Sequence, residues 1–224
     1  ENIAVLYEHM LKAGMHFGRR RTVFNPGMGK YVFTIRNGIC IIDLLKTKVE
    51  IEAVAKNLKS TISNGGLVLF VGLTKQSSES MKSIAEEQGM PYVTSRWLGG
   101  TLTNHKIIYS RVKLLDEMEK QLKSGELDKY TKKERLMFER KLKKMRDSFD
   151  GLRKLPRMPD VMFVSSLKES SIPIREAKRM GVKVIAIANT DSNPATVDQI
   201  IPANDRSKKA IDVILDLIKE ELKS

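Results

Sequence analysis

The spacing of apolar positions along the chain alternates between the helical and the extended period, and each change marks an element. Val5, Leu6, Met10 and Leu11 share one side of a predicted short helix over residues 3–13. A basic loop punctuated by glycine follows, through Gly14, Gly18, Arg19, Arg20, Arg21, Pro26, Gly27 and Gly29. Tyr31–Ile35 and Ile39–Ile42 read as paired strands around Asn37-Gly38, a dipeptide favoured in type I′ hairpin turns because both central residues need positive φ. Helical spacing then runs from Leu44 to Ser63, through Val49, Ile51, Val54, Leu58 and Ile62, and Asn64-Gly65-Gly66 stops it. Leu67–Val71 is continuously apolar, as in a strand covered on both faces of a parallel sheet. A helix over Ser77–Gln88 and a short strand at Tyr92-Val93 complete the first half.

From residue 104 the pattern changes. Ile108, Val112, Leu115, Met118 and Leu122 form one narrow apolar seam on a charged helix. Beyond a break at Ser124-Gly125, Phe138, Leu142, Met145, Phe149 and Leu152 repeat it. Two such seams predict an antiparallel coiled-coil hairpin whose helices bury their stripes against each other. The α/β alternation then resumes with a strand at Val161–Ser165, a helix at Ile172–Met180 and a strand at Val182–Ala188. A loop over 194–202 carries an edge segment at Gln199–Ile201, and a helix over Ser207–Leu222 closes the chain. This order predicts an α/β sandwich domain, discontinuous over 1–103 and 155–224, with the hairpin of 104–154 inserted between the halves of one doubly wound sheet.

The joint between the two patterns is Arg96-Trp97-Leu98-Gly99-Gly100-Thr101-Leu102-Thr103-Asn104, which holds the only tryptophan. A large aromatic beside two glycines indicates a tightly turned segment whose backbone approaches something closely. Trp97 has two readings, a buried anchor locking the hairpin to the sandwich or an aromatic exposed for stacking on a partner. The anchor is preferred because the indole follows an apolar strand and precedes the insertion. Gly99 and Gly100 are assigned to the same structural joint.

Charge changes the picture from fold to partner. The formal net charge is +13, which favours a polyanion without distinguishing nucleic acid from an anionic membrane. The excess is regional. Between Lys106 and Arg157 there are 17 Lys or Arg against nine Asp or Glu, a surplus of eight. Between Lys12 and Lys48 there are eight against Asp43 alone, a surplus of seven, so these two stretches together exceed the total. Regional charge is the footprint of a binding surface. Three adjacent arginines, Arg19-Arg20-Arg21, repel one another unless anions are near, and their forked donors suit phosphate oxygens. Lys132-Lys133, Lys141 and Lys143-Lys144 read equally as phosphate contacts or as a solvated helix face.

Motifs for catalysis are weak. Gly72-Leu73-Thr74-Lys75-Gln76-Ser77-Ser78 lies between a strand and a helix, but has neither GxGxxG nor P-loop spacing. One phosphate at that helix start, assisted by Thr74, Lys75, Ser77 or Ser78, is a lesser reading than ordinary capping. His9, His16 and His105 show no HExxH spacing, and no metal or cofactor is expected. The single cysteine, Cys40, sits in the apolar run Ile39–Ile42 and reads as a buried, inert thiol. No run is long and apolar enough to span a bilayer, and no signal-peptide order opens the chain, so a soluble, cytoplasmic protein without a membrane partner is expected.

Several runs resemble the bacterial-type small-subunit ribosomal protein S2 family. They are Leu11-Lys12-Ala13-Gly14-Met15-His16-Phe17-Gly18, Asn25-Pro26 with Met28, Phe70-Val71-Gly72, and the Arg96–Asn104 segment. They continue in order with Leu127-Asp128, Thr131-Lys132-Lys133-Glu134, Leu155-Pro156 through Pro159-Asp160, Glu176-Ala177 and Gly181-Val182. Asp191-Ser192-Asn193-Pro194 and Ile201-Pro202-Ala203-Asn204-Asp205 complete the match. Two departures stand out: Arg19 where many relatives have histidine, and no long acidic tail after Ser224.

The resemblance implies a flavodoxin-like three-layer α/β/α sandwich with a mainly parallel sheet and the inserted coiled-coil hairpin. It implies a structural constituent of the small ribosomal subunit that binds rRNA and supports subunit assembly and translation, including docking of the first small-subunit protein. Neither an enzyme nor a stable homo-oligomer is expected; a nucleotide-binding α/β enzyme is the alternative. The expected rRNA contacts are Arg19, Arg20, Arg21, Lys30, Arg36, Arg96, Asn104, Lys106, Arg111, Lys132, Lys133, Lys141 and Lys144. They would grip phosphate and shape rather than read bases.

Overall fold

The computed structural model describes residues 3–124 and 130–223. Gly125, Leu127 and Asp128, singled out above, lie outside the described residues. In chain order the elements are α1 (Ile3–Lys12), β1 (Phe17–Arg20), β2 (Val32–Arg36), β3 (Ile39–Ile42), α2 (Leu44–Ser63), β4 (Val68–Val71), α3 (Ser78–Glu87) and β5 (Tyr92–Val93). Then come α4 (His105–Lys123), α5 (Lys132–Phe149), β6 (Val161–Val164), α6 (Ser171–Arg179), β7 (Lys183–Ala188), β8 (Gln199–Pro202) and α7 (Lys208–Lys223). Short 3-10 turns fill several of the connections.

Five strands form a parallel sheet in the order β5-β4-β6-β7-β8, the doubly wound order in which the chain leaves β4 toward one edge and returns to the other side of it. β4 and β6 are buried along their whole length, which is why Val68–Val71 and Val161–Val164 carry no polar residue. Strand alternation sorts their side chains between two cores. Val68, Phe70, Val161, Phe163, Ile185, Ile187 and Ile201 face α2, α3 and α7, joined by Met10 of α1. Leu69, Val71, Met162, Val164, Val184, Ala186 and Ile200 face α6, the Trp97–Leu102 loop and the first turns of α4. Helices or loops thus cover both faces, in three layers.

A second, antiparallel sheet of order β1-β3-β2 carries the N-terminal residues. The β2-β3 turn has Asn37 at φ 49° and Gly38 at φ 74°, the positive pair that a type I′ turn demands. β1 corrects the sequence reading. The glycine-punctuated loop expected there gives way at Phe17–Arg20 to a strand that pairs antiparallel with β3, Phe17 opposite Ile41 and Arg20 opposite Ile39, with a register irregularity between them. Glycine and adjacent arginines hide a strand from propensity, because edge pairing depends on a partner rather than on the segment itself.

Some apolar stripes also divide differently from expectation. Val5, Leu11, Val49 and Leu122 are exposed. The hairpin seam splits in two: Ile108, Val112 and Leu152 pack into the sandwich core, whereas Leu115, Met118 and Leu142 make a separate small cluster with Leu114, Phe138, Met145 and Phe149 at its edge. The periodicity is that of one stripe, but its lower end lies beside the sheet and follows the larger apolar surface. α4 and α5 run antiparallel: Glu119 pairs with Arg146 at 2.6 Å, while Asp116, earlier on α4, pairs with Arg153 beyond the end of α5.

Candidate nucleic-acid interface

The joint is organised by a buried carboxylate. Glu176 lies on α6 among Pro173, Ile174 and Ala177, on the face that packs against the sheet. Its Oε1 accepts the indole N–H of Trp97 at 3.1 Å and the backbone N–H of Gly100 at 2.8 Å. Its Oε2 accepts the backbone N–H of Leu102 at 3.0 Å and of Thr103 at 3.4 Å, and the Thr103 hydroxyl at 3.5 Å. Burial alone would raise the Glu176 pKa, but the donors from Gly100, Leu102, Trp97 and Thr103 outweigh it and hold the carboxyl below its ordinary value.

Trp97 is only 7% exposed, so its ring lies in the core. Gly100 has φ +91°, a backbone that L side chains rarely adopt, and it turns the N–H groups toward the carboxylate. Gly99 meets no such demand: it is exposed, with open space around its missing Cβ. The sequence reading assigned Glu176 no role. The available signal was a charged residue on the apolar face of an amphipathic helix.

The three adjacent arginines separate. The Arg19 side chain is 18% exposed and faces two carboxylates, Asp205 at 3.3 Å and Asp191 at 3.6 Å. Its backbone N–H donates to the Thr190 hydroxyl at 2.7 Å. Asp205 also accepts from Ser166 at 2.7 Å and from Asn189 at 3.1 Å. Arg19 therefore ties β1 to the loops that follow β6, β7 and β8, and its charge is spent internally.

Arg20 and Arg21 are exposed. Arg20 and Arg36 both lie opposite Ile39, on β1 and β2 respectively, and so flank it in one row across the small sheet. Lys30, exposed before β2, stands over the Tyr31 ring at 4.8 Å. Phe33, on the same small sheet, is 75% exposed.

The remaining candidates fall on two other surfaces. Arg96 is exposed beside the joint; Asn104, Lys106 and Arg111 are exposed along the start of α4. Lys132, Lys133, Lys141 and Lys144 are exposed on α5. Among the described residues none of these cations shows an ion pair. The structural pairs of the hairpin use other residues: Arg153 binds Asp116, Glu119 and Asp150, and Arg146 binds Glu119.

Cys40 is buried, and burial pushes its thiol pKa up. His9 is exposed, whereas His16 is half-buried with its ring 4.1 Å from that of Phe17. Among the described residues no three His, Cys, Asp or Glu side chains gather as a metal site, and no helix is long and apolar enough to cross a membrane.

Residues 10–224 match the family model described as ribosomal protein S2. The chain is 41% identical over 213 residues to small ribosomal subunit protein uS2 of Thermus thermophilus, covering 95% of this chain and 83% of that protein. It is 40% identical over 215 residues to the protein of the same name from Fusobacterium nucleatum, covering 96% and 87%. A match of this extent, over a doubly wound sandwich whose joint and surfaces are described above, places the chain in the ribosomal protein S2 family, a family of ribosomal structural proteins and not of enzymes.

Proposed function

We propose that this protein is a structural constituent of the small ribosomal subunit that holds rRNA by phosphate and shape recognition through separated basic surfaces. The observation that carries the reading is the division of labour among its cations. Arg19, Arg146 and Arg153 are committed to carboxylates within the fold, while Arg20, Arg21, Arg36 and the lysines of α5 are exposed without ion pairs among the described residues. Exposed, unpaired cations on rigid strands and helices suit backbone contacts, which position a protein on folded RNA without reading its bases.

In this reading residues 1–103 and 155–224 form the discontinuous sandwich and 104–154 an arm. One grip lies on the small sheet, with Arg20, Arg21, Lys30 and Arg36; the second runs from Arg96, Asn104, Lys106 and Arg111 to Lys132, Lys133, Lys141 and Lys144. A helix of twenty residues spans about 30 Å, so an arm of this kind reaches RNA that the sandwich does not. Support for subunit assembly, including docking of the first small-subunit protein, belongs to the same proposal and rests on the family resemblance.

Incorporation into small subunits over a salt series tests it. Arg20, Arg21 and Arg36 replaced together by alanine should weaken incorporation and flatten its salt dependence by about one unit of slope per lost phosphate contact. An unchanged affinity and slope would sink the reading for the small sheet; Lys133, Lys141 and Lys144 replaced together test the arm in the same way.

A further inference from the structure

Where β4 and β6 part, the loops after β4, β5 and β6 line an open cleft of about 660 Å³, within the range that small-molecule ligands occupy. It lies at the carboxyl ends of neighbouring parallel strands whose connections run in opposite directions, the place where a doubly wound sheet leaves a crevice. Two cations line it, Lys75 after β4 and Arg96 after β5. Both are exposed and without an ion pair among the described residues; Glu169 is the one carboxylate on the described wall.

Two helices also begin at this wall, α3 at Ser78 and α6 at Ser171. Neither has a side-chain cap. Ser77, at the N-cap of α3, spends its hydroxyl on Thr74 at 2.8 Å and on Ser165 at 2.7 Å. Ser170, at the N-cap of α6, is fully buried and its hydroxyl has no partner. By contrast α2 is capped by Asp43 and α5 by Thr131. In α3 the Ser78 N–H already donates to the Thr74 carbonyl at 3.0 Å, leaving Glu79 and Ser80 without a side-chain cap, and in α6 only Ser171 and Ile172 of the first turn carry an N–H because Pro173 follows; both positive helix ends add to Lys75 and Arg96 against Glu169. Leu73, Pro173 and an Ile172 that is 57% exposed make the apolar part of the lining. Trp97 also borders the cleft, with its N–H held by Glu176.

We infer that this cleft binds a phosphate group bearing a nucleoside, carried either by a free mononucleotide or by an RNA strand. Arg96 supplies a forked donor for phosphate oxygens, Lys75 a point charge, the two helix starts supply backbone donors, and the apolar part of the lining covers sugar or base. Ordinary capping is the preferred sequence reading at Ser77-Ser78; the structure removes its premise, since the Ser77 hydroxyl caps nothing.

Calorimetric titration of the free chain at low salt tests this with three probes: inorganic phosphate, adenosine monophosphate and a short oligoribonucleotide. Lys75→Ala and Arg96→Ala alter exposed side chains, and circular dichroism verifies their fold; Lys56→Ala and Lys209→Ala, exposed on α2 and α7 and outside every surface assigned above, control for general basic attraction. Adenosine monophosphate binding that weakens about tenfold or more in the first pair but not in the controls supports a free nucleotide. The same dependence with the oligoribonucleotide alone supports an RNA strand. Binding of inorganic phosphate alone, binding indifferent to Lys75 and Arg96 or equally reduced in the controls, or no binding of any probe, overturns the inference. These readouts use the free chain, so their failure leaves attachment to the subunit standing.

Discussion

Trp97 and Glu176 lie 79 positions apart and meet through an indole N–H donated to a carboxylate oxygen at 3.1 Å. The same carboxylate accepts from Gly100, Leu102 and Thr103, so one side chain of α6 gathers the loop that leads into α4. A buried charge is tolerated there because every donor is aimed at it, and the arrangement fails if the charge is removed while the donors remain.

Glu176→Gln should therefore destabilise the protein by about 2–4 kcal/mol in urea denaturation, because the amide NH₂ would face N–H groups that need an acceptor. Emission of Trp97, the single tryptophan, should shift to longer wavelength as the loop loosens. A variant of native stability and unchanged emission would mean that apolar contacts of Trp97 and Leu102 hold the loop unaided.

Acid should act through the same group. The folded state lowers the Glu176 pKa below its ordinary value of 4.5, so the unfolded chain takes up the proton more readily. Its contribution is complete above that ordinary value and is lost as pH falls through it toward the folded pKa. Asp160 and Glu119 are also lowered and decline over the same range, so the difference between the native protein and Glu176→Gln is what isolates this site. Denaturation curves between pH 7 and 3 should converge for the two proteins at the acid end; parallel curves would contradict the assignment.

Arg19 and Arg20 should behave oppositely although they are neighbours. Arg19→Ala leaves the buried Asp205 without its cation, while Asp191 keeps Lys168 at 2.7 Å, and should cost about 3 kcal/mol. Arg20→Ala should change stability by no more than about 0.5 kcal/mol yet lower incorporation into small subunits. The reverse pattern would show that the internal ion pair is not what Arg19 contributes.

Leu115 is fully buried in the small cluster of the hairpin, and Leu115→Ala should cost about 2–5 kcal/mol there. Hydrogen exchange should rise in α4 and α5 while the amides of β4 and β6 keep their protection. Faster exchange throughout would show that the hairpin and the sandwich unfold as one unit.

Most of the architecture could be read in advance because it rests on local rules. The unbroken apolar runs of β4 and β6 announced a sheet covered on both faces, and Asn37-Gly38 announced the β2-β3 turn of the smaller sheet. The arginine-tryptophan segment was visible as a joint, and two of the three adjacent arginines, Arg20 and Arg21, stand exposed.

Direction and partnership were not legible, since they depend on residues far along the chain. Pairing of β1 with β3 makes alternate residues face opposite ways, sending Arg19 inward to Asp191 and Asp205 and Arg20 outward. The carboxylate that gathers the tryptophan loop comes from α6, 79 positions beyond Trp97, and the sequence shows it only as a charged residue on an apolar helix face, with nothing to name its partners. Periodicity and composition determined most of the elements, β1 excepted, and which regions are basic. Only tertiary structure decided which charges are consumed inside the fold, because a buried charge must find its partner in space, whatever the distance along the chain.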